Sequence, residues 1–222
     1  MLWGDSHADH LSPLMQAYVA EQGSIGMVHR SYSSCRPLET KAGEVMELTS
    51  GCLEFNEAVQ KELVELRTQG LKGVVLSAMW ITLYKDKVKA FSAGPPAFGN
   101  PPSTAQPDYA THAVDEIVSK LVSEGLRVLI VAPTWIMPHR VPQCLVRHNN
   151  EECSAQRTPV DVQRRAAVAA LRKIESEHRG SVRVWDPIDD LCDAQICPAA
   201  RGTMAMYAGL TCICPRPRHV SY

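Results

Sequence analysis

Three short, almost wholly apolar runs set the strongest limit on what this chain can fold into. They are Gly73-Val74-Val75-Leu76-Ser77-Ala78, Arg127-Val128-Leu129-Ile130-Val131 and Val182-Arg183-Val184-Trp185. Runs this short and rich in β-branched residues read as strands, and the first two have no polar face to turn to water. They therefore belong inside a parallel sheet covered on both sides. Stretches of helical periodicity alternate with them. Residues 9–21 place Leu11, Leu14, Met15 and Tyr18 on one face; residues 55–69 do the same with Val59, Leu63 and Leu66, ending at Gly70. Residues 112–124 carry Val114, Ile117, Val118 and Leu121 and end at Gly125, and residues 160–177 form a further helix. Ser24 to Arg30 reads as one more short strand, residues 94–107 as an irregular Gly- and Pro-rich loop, and residues 137–158 as a long polar loop. Strand and helix in alternation predict a doubly wound, three-layer α/β/α fold with a mostly parallel, flavodoxin-like sheet.

Ligands of such sheets bind beyond the carboxyl ends of the strands. The segments to search are therefore Gly4–His7, Ser31–Cys35, Met79–Leu83 and Pro133–Met137. Gly4-Asp5-Ser6-His7 stands between a short apolar start and a helix, so Ser6 would project from a strand-to-helix turn. Helix N-terminal N–H groups there could receive an oxyanion. The plainer alternative is that Asp5 or Ser6 only caps the helix.

The cysteines bear on compartment. Six of the eight stand as near neighbours: Cys35 with Cys52, Cys144 with Cys153, and Cys192 with Cys197. Each pair encloses a loop-like stretch, which reads as disulfide-closed loops in an oxidising compartment. Free thiols or a metal site are the alternative, but none of the three has the Cys-x-x-Cys spacing of zinc ligands, and no metal or other cofactor is expected. The formal charge of −1 gives no electrostatic case for nucleic acid or an anionic membrane surface. No apolar run approaches the roughly 18 residues of a membrane span, and no signal peptide opens the chain. Cysteines that point outside the cytosol thus imply either an export segment lost upstream or attachment to something already in a membrane.

Leu2-Trp3-Gly4-Asp5-Ser6-His7-Ala8 resembles the first block of the SGNH hydrolases, and more narrowly the periplasmic SGNH domain of bacterial acyltransferase-3 membrane O-acyltransferases. The resemblance continues through Cys35-Arg36-Pro37-Leu38, Cys52 with Phe55-Asn56, residues 74–80, and Leu191-Cys192-Asp193 with Cys197. It implies a periplasmic or cell-envelope domain that transfers an acyl group, usually acetyl, to carbohydrate hydroxyls or removes it. Its partners would be an acyl donor, a carbohydrate acceptor and an upstream membrane acyltransferase domain. Ser6 would be the nucleophile and its own N–H one oxyanion donor. The superfamily's further donors, a Gly after the second strand and an Asn after the third, are replaced here by Ser33-Ser34 and Trp80. Ser34 and Trp80 are therefore oxyanion or pocket candidates, Trp80 equally a core residue.

A serine nucleophile needs a base, usually an imidazole held by a carboxylate. The family takes both from an Asp-x-x-His motif shortly after a C-terminal tyrosine. After Tyr207 this chain has no Asp, and His219 follows Arg216 by three positions, so the motif is absent. His219 is the remaining candidate base, against a plain role as a tail residue. Residues 1–207 are read as the SGNH-type domain, its first strand short enough to predict marginal stability. Residues 208–222, with Cys212 and Cys214, are an atypical tail. Either that tail is out of frame, or the domain is an inactive remnant or carbohydrate-binding module. His7 and His10 are assigned to the helix surface. His29, His112, His139, His148 and His178 lack motif context and read as structural or solvated.

Overall fold

The computed structural model describes residues 1–38, 50–83 and 107–207. The expected loop at 94–107 lies outside them except for Pro107, which opens a helix, and so do Cys212, Cys214 and the rest of the 208–222 tail, including His219. The chain runs β1 (Leu2–Gly4), α1 (Ser6–Gln22), β2 (His29–Ser31), α2 (Ser50–Thr68), β3 (Gly73–Ser77), a 3₁₀ turn (Trp80–Leu83), α3 (Pro107–Ser123) and β4 (Arg127–Val131). It continues with α4 (Val141–Arg147), α5 (Asn150–Cys153), β5 (Ala155–Gln156), α6 (Arg157–Glu177), β6 (Val182–Trp185), α7 (Pro187–Leu191), β7 (Ile196–Cys197), β8 (Ala200–Arg201) and β9 (Met204–Ala205).

The central sheet has the order β2-β1-β3-β4-β6, and every pairing within it is parallel. The three strands read from apolar runs are all present. The strand expected at 24–30 is shorter and later, because only His29–Ser31 pairs with β1. The long polar loop at 137–158 is a correction of another kind. It folds into α4, α5 and β5, with the Cys144–Cys153 disulfide tying α4 to α5.

Side-chain alternation along the strands builds the three layers. Trp3, Val74, Leu76, Val128, Ile130, Val182 and Val184 join residues of α2, α3 and α6 in the main core. Leu2, Val75 and Val131 point the other way, toward Ala8, Leu11 and Leu14 of α1. Trp3 is fully buried and donates its indole N–H to Asn56 Oδ1 at 3.2 Å, fixing α2 to β1. Gly70 and Gly125 end their helices as expected, in left-handed backbone at φ 99° and 81°. At Gly4 the requirement is space: a Cβ there would stand 1.7 Å from the Ser77 carbonyl oxygen, so only glycine lets β1 and β3 close at this level.

A second, smaller core lies past the ends of β4 and β6. Trp135, Met137, Val141, Ile188, Met206 and Tyr207 pack there around Cys153, Cys192 and Cys197. Disulfides Cys144–Cys153 and Cys192–Cys197 tie this cap together, while Cys35–Cys52 joins the loop after β2 to α2. No described helix is long and apolar enough to cross a membrane.

Candidate active site at the end of the first strand

In the order β2-β1-β3 the chain leaves β1 for one neighbour and later returns on the other side. The crevice of this fold class opens at that switch, between β1 and β3. Asp5 and Ser6 stand at its lip.

Asp5 is the N-cap of α1 and is 2% exposed. Its Oδ1 accepts the His7 backbone N–H at 2.8 Å and lies 3.1 Å from His7 Nδ1; its Oδ2 accepts the Met79 N–H at 2.9 Å. Burial alone would raise this carboxyl. The His7 ring, the Met79 N–H and the His7 N–H outweigh burial and hold it below the usual carboxylate range. Asp5 is thus ionised and closes the switch point from both sides. Asp5 caps the helix, as the plainer alternative expected, and that cap sets the geometry around Ser6.

Ser6 is the first residue of α1 and is half-buried. Among the described residues neither its hydroxyl nor its N–H has a hydrogen-bond partner. The first N–H groups of a helix lack intrahelical acceptors and carry its positive end. An oxygen with developing negative charge would meet both at this point.

His7 corrects the surface assignment. Its side chain is only 11% exposed, because it folds back over the helix N-terminus toward Asp5. The His10 ring lies edge-on to it at 6.0 Å, and burial together with the nearby His7 lowers the His10 imidazole below its ordinary value. Neither imidazole bonds the Ser6 hydroxyl.

The loop after β2 brings Arg36 to the same place. Its Nε points at the Met79 carbonyl at 3.5 Å, and its Nη2 bonds Thr82 Oγ1. Met79 is therefore held at its N–H by a carboxylate and at its carbonyl by a guanidinium. Burial lowers the Arg36 guanidinium and the Asp5 charge opposes that effect. Sequence reasoning passed over Arg36. The available signal was its position, a charge set between Cys35 of a disulfide and Pro37 directly after a strand.

Trp80 is fully buried in the main core. Its indole N–H donates to the Val131 carbonyl at 2.9 Å and its backbone N–H to the Ala78 carbonyl at 2.8 Å. Both of its donors are committed inside the protein. Ser34 is exposed and holds φ at +60°, the left-handed backbone glycine adopts without strain. The site thus gathers Asp5, Ser6, His7, Met79 and Arg36, with Trp80 beneath it as core.

The cap adds a buried ion pair at the ends of β4 and β6. Arg164 donates to Asp186 Oδ1 at 2.5 Å and to the Pro133 carbonyl at 2.8 Å, while Asp186 also caps α7. Tyr207 is fully buried beside it. Burial pushes its phenol up, and the Trp135 indole, Arg201 and Arg164 act against that.

The family model for the SGNH domain (fused to AT3 domains) matches residues 1–208. Among solved structures, the chain is similar to the periplasmic domain of a lipopolysaccharide acetyltransferase from Salmonella ser. Paratyphi A. The TM-score is 0.63 at 12% sequence identity, with 96% of this chain and 76% of that chain covered. At that identity the likeness speaks for the fold. No curated protein matches the chain.

Proposed function

The chain belongs to the family of SGNH domains fused to AT3 domains, and from that premise we propose that it carries out serine-dependent acyl-ester chemistry on cell-surface carbohydrate through an acyl-enzyme on Ser6. The observation that carries this reading is the place of Ser6. It is the first residue of α1 at the β1–β3 switch point, its hydroxyl and N–H unengaged among the described residues, beside an ionised Asp5. The Ser6 oxygen would attack the donor's acyl carbonyl as its proton passes to a base, the helix N-terminus would receive the oxyanion, the donor's leaving group would depart taking up a proton, and a sugar hydroxyl or water would then displace Ser6 and take the acyl group. The similar Salmonella domain, the periplasmic part of a lipopolysaccharide acetyltransferase, favours acetyl transfer to a glycan. The three disulfides and the family favour the periplasmic face, with the membrane acyltransferase domain upstream.

A second reading is an inactive, carbohydrate-binding domain. It is favoured by the missing Asp-x-x-His motif and by the absence, among the described residues, of any imidazole bonded to Ser6. One experiment separates the two. The protein is mixed with p-nitrophenyl acetate, and acetate release and acetylated peptides are followed in wild type and Ser6→Ala. Acetylation mapped to Ser6, with turnover lost in the variant, supports the enzyme. Release that is identical in both proteins, or an unmodified Ser6, overturns it.

A further inference from the structure

The net charge of −1 conceals an uneven distribution. At the end where the parallel strands begin, opposite Ser6, Lys72 leads into β3, Arg127 opens β4, Arg179 sits in the turn before β6, and Arg183 lies within β6. All four are exposed and none lies within ion-pair distance of a carboxylate among the described residues, although Arg183 acts on Glu175 through its charge. They are neighbours along the rim: the Arg127 N–H donates to the Lys72 carbonyl at 3.1 Å, and the Val128 N–H to the Ser181 carbonyl at 2.8 Å.

The nearby acids are largely spent. Glu124 pairs with Arg67, Glu177 with Lys173, and Asp115 with His178. Glu175 is bonded both to Arg172 at 2.9 Å and to the Val184 N–H at 3.0 Å, which closes the open edge of β6. Glu21 and Glu65 lie near the carboxyl ends of α1 and α2, which lead back toward the starts of β2 and β3, and among the described residues they are the carboxylates at this end without a basic partner. Between the end of α6 and β6, a groove of about 360 Å³ is lined by Arg172, Ser176, Arg179, Gly180 and Arg183 beside Glu175. Guanidinium groups gathered around a groove suit the oxygens of a phosphate.

The chain also enters the sheet at this end. Met1 N donates to the Gly73 carbonyl at 2.9 Å, one residue from Lys72. In a family fused to membrane AT3 domains, the upstream segment therefore reaches the fold on its cationic rim.

We propose that this rim, Lys72, Arg127, Arg179 and Arg183, seats the domain on the anionic lipid phosphates of the membrane and turns the Ser6 end away from the bilayer. Each cation near an anionic surface contributes about fivefold to binding. Four are weak for a free protein. They suffice for a tethered one, because tethering makes the contact intramolecular and only orientation has to be chosen.

The test holds the 222-residue chain by an amino-terminal polyhistidine tag on vesicles containing nickel-chelating lipid. The vesicles are made of phosphatidylcholine alone or mixed with phosphatidylglycerol. A donor dye is placed at Ser176, on the rim, or at Val146, which is 85% exposed in the cap. Energy transfer to a headgroup dye is read for each. On phosphatidylglycerol, Ser176 should transfer more than Val146. The difference should vanish in about 0.5 M salt, where screening is nearly complete, and in the quadruple variant Lys72→Gln, Arg127→Gln, Arg179→Gln, Arg183→Gln. The pair Arg179→Gln, Arg183→Gln should weaken the preference by about 25-fold. Exposed substitutions leave stability nearly unchanged, and the pair keeps the test open should the quadruple variant not fold. Equal transfer on both lipids, a nearer Val146, or a preference that survives the substitutions overturns the proposal.

Discussion

The Asp5 carboxylate accepts the backbone N–H of Met79 at 2.9 Å, joining the turn after β1 to the end of β3. The same carboxylate caps α1 through His7. Asp5→Ala therefore removes a cap, worth about 1 kcal/mol, and leaves the Met79 N–H without its acceptor, at about 1–3 kcal/mol. Urea unfolding should show a loss of about 2–4 kcal/mol. Because the folded carboxyl is held below its ordinary value, its stabilisation is complete above about pH 4 and fades as pH falls through the folded value. The gap between wild type and Asp5→Asn should narrow as pH falls below about 4. A constant gap would show that the charge of Asp5 contributes nothing.

Ser34 offers a test of a different kind. At φ +60° it occupies backbone that costs an L-residue about 1–2 kcal/mol, against about 0.5–1 kcal/mol of unfolded-chain entropy for glycine. Ser34→Gly should raise stability by about 0.5 kcal/mol in thermal or urea unfolding. It also separates backbone from side chain. If only the turn matters to the Ser6 chemistry, ester turnover is kept; if the hydroxyl is an oxyanion donor, turnover falls by about 100-fold.

The layers were legible because burial on both faces forces an unmistakable composition. Residues 74–76 and 128–131 could hardly be anything but interior strand. Strand β2 was harder: three residues, each half-buried, leave little periodicity to read, and the pairing with Leu2–Gly4 that defines it is a long-range fact. The cap at 137–158 was missed for a related reason. Its helices are short and polar, and they are fixed by Cys144–Cys153 and by packing on Met206 and Tyr207. At the site, the place of Ser6 in a strand-to-helix turn could be read from the sequence. The Met79 clamp could not, since Asp5 and Arg36 reach the two peptide groups flanking Met79 only once β1, β2 and β3 are assembled. The cationic rim was invisible to net charge, which averages both ends of the molecule.

The three disulfides should not be equal in value. Closing a longer loop removes more freedom from the unfolded chain, and the separations are 17, 9 and 5 residues. On the chain-entropy relation they contribute about 3, 2.6 and 2 kcal/mol respectively. Paired serine substitutions, each followed by urea unfolding, should reproduce that order. Cys35→Ser with Cys52→Ser should in addition loosen Arg36, and so lower Ser6 acetylation more than stability alone accounts for. If stability and acetylation fall together in all three variants, the Cys35–Cys52 bond has no special link to the site.

When the 222 residues are made alone, the amino group of Met1 is free, and it makes the last prediction. Burial depresses it from 8.0 to about 6, while it donates to the Gly73 carbonyl. Below about pH 6 the folded and unfolded chains both carry the proton, and the folded state bears the full cost of burying the charge. Above about pH 8 neither carries it. Between those limits the unfolded chain binds more protons, so stability rises with pH, by about 2–3 kcal/mol for a shift of this size. Histidines titrate in the same window, and a comparison removes them. A protein extended by one residue before Met1 places a peptide N–H, uncharged at any pH, against the same Gly73 carbonyl. Urea unfolding from pH 5.5 to 8.5 should therefore give two curves that converge at high pH, with the free-amine protein the weaker at low pH. Parallel curves would mean that water reaches the ammonium and that β1 begins in solvent rather than inside the sheet.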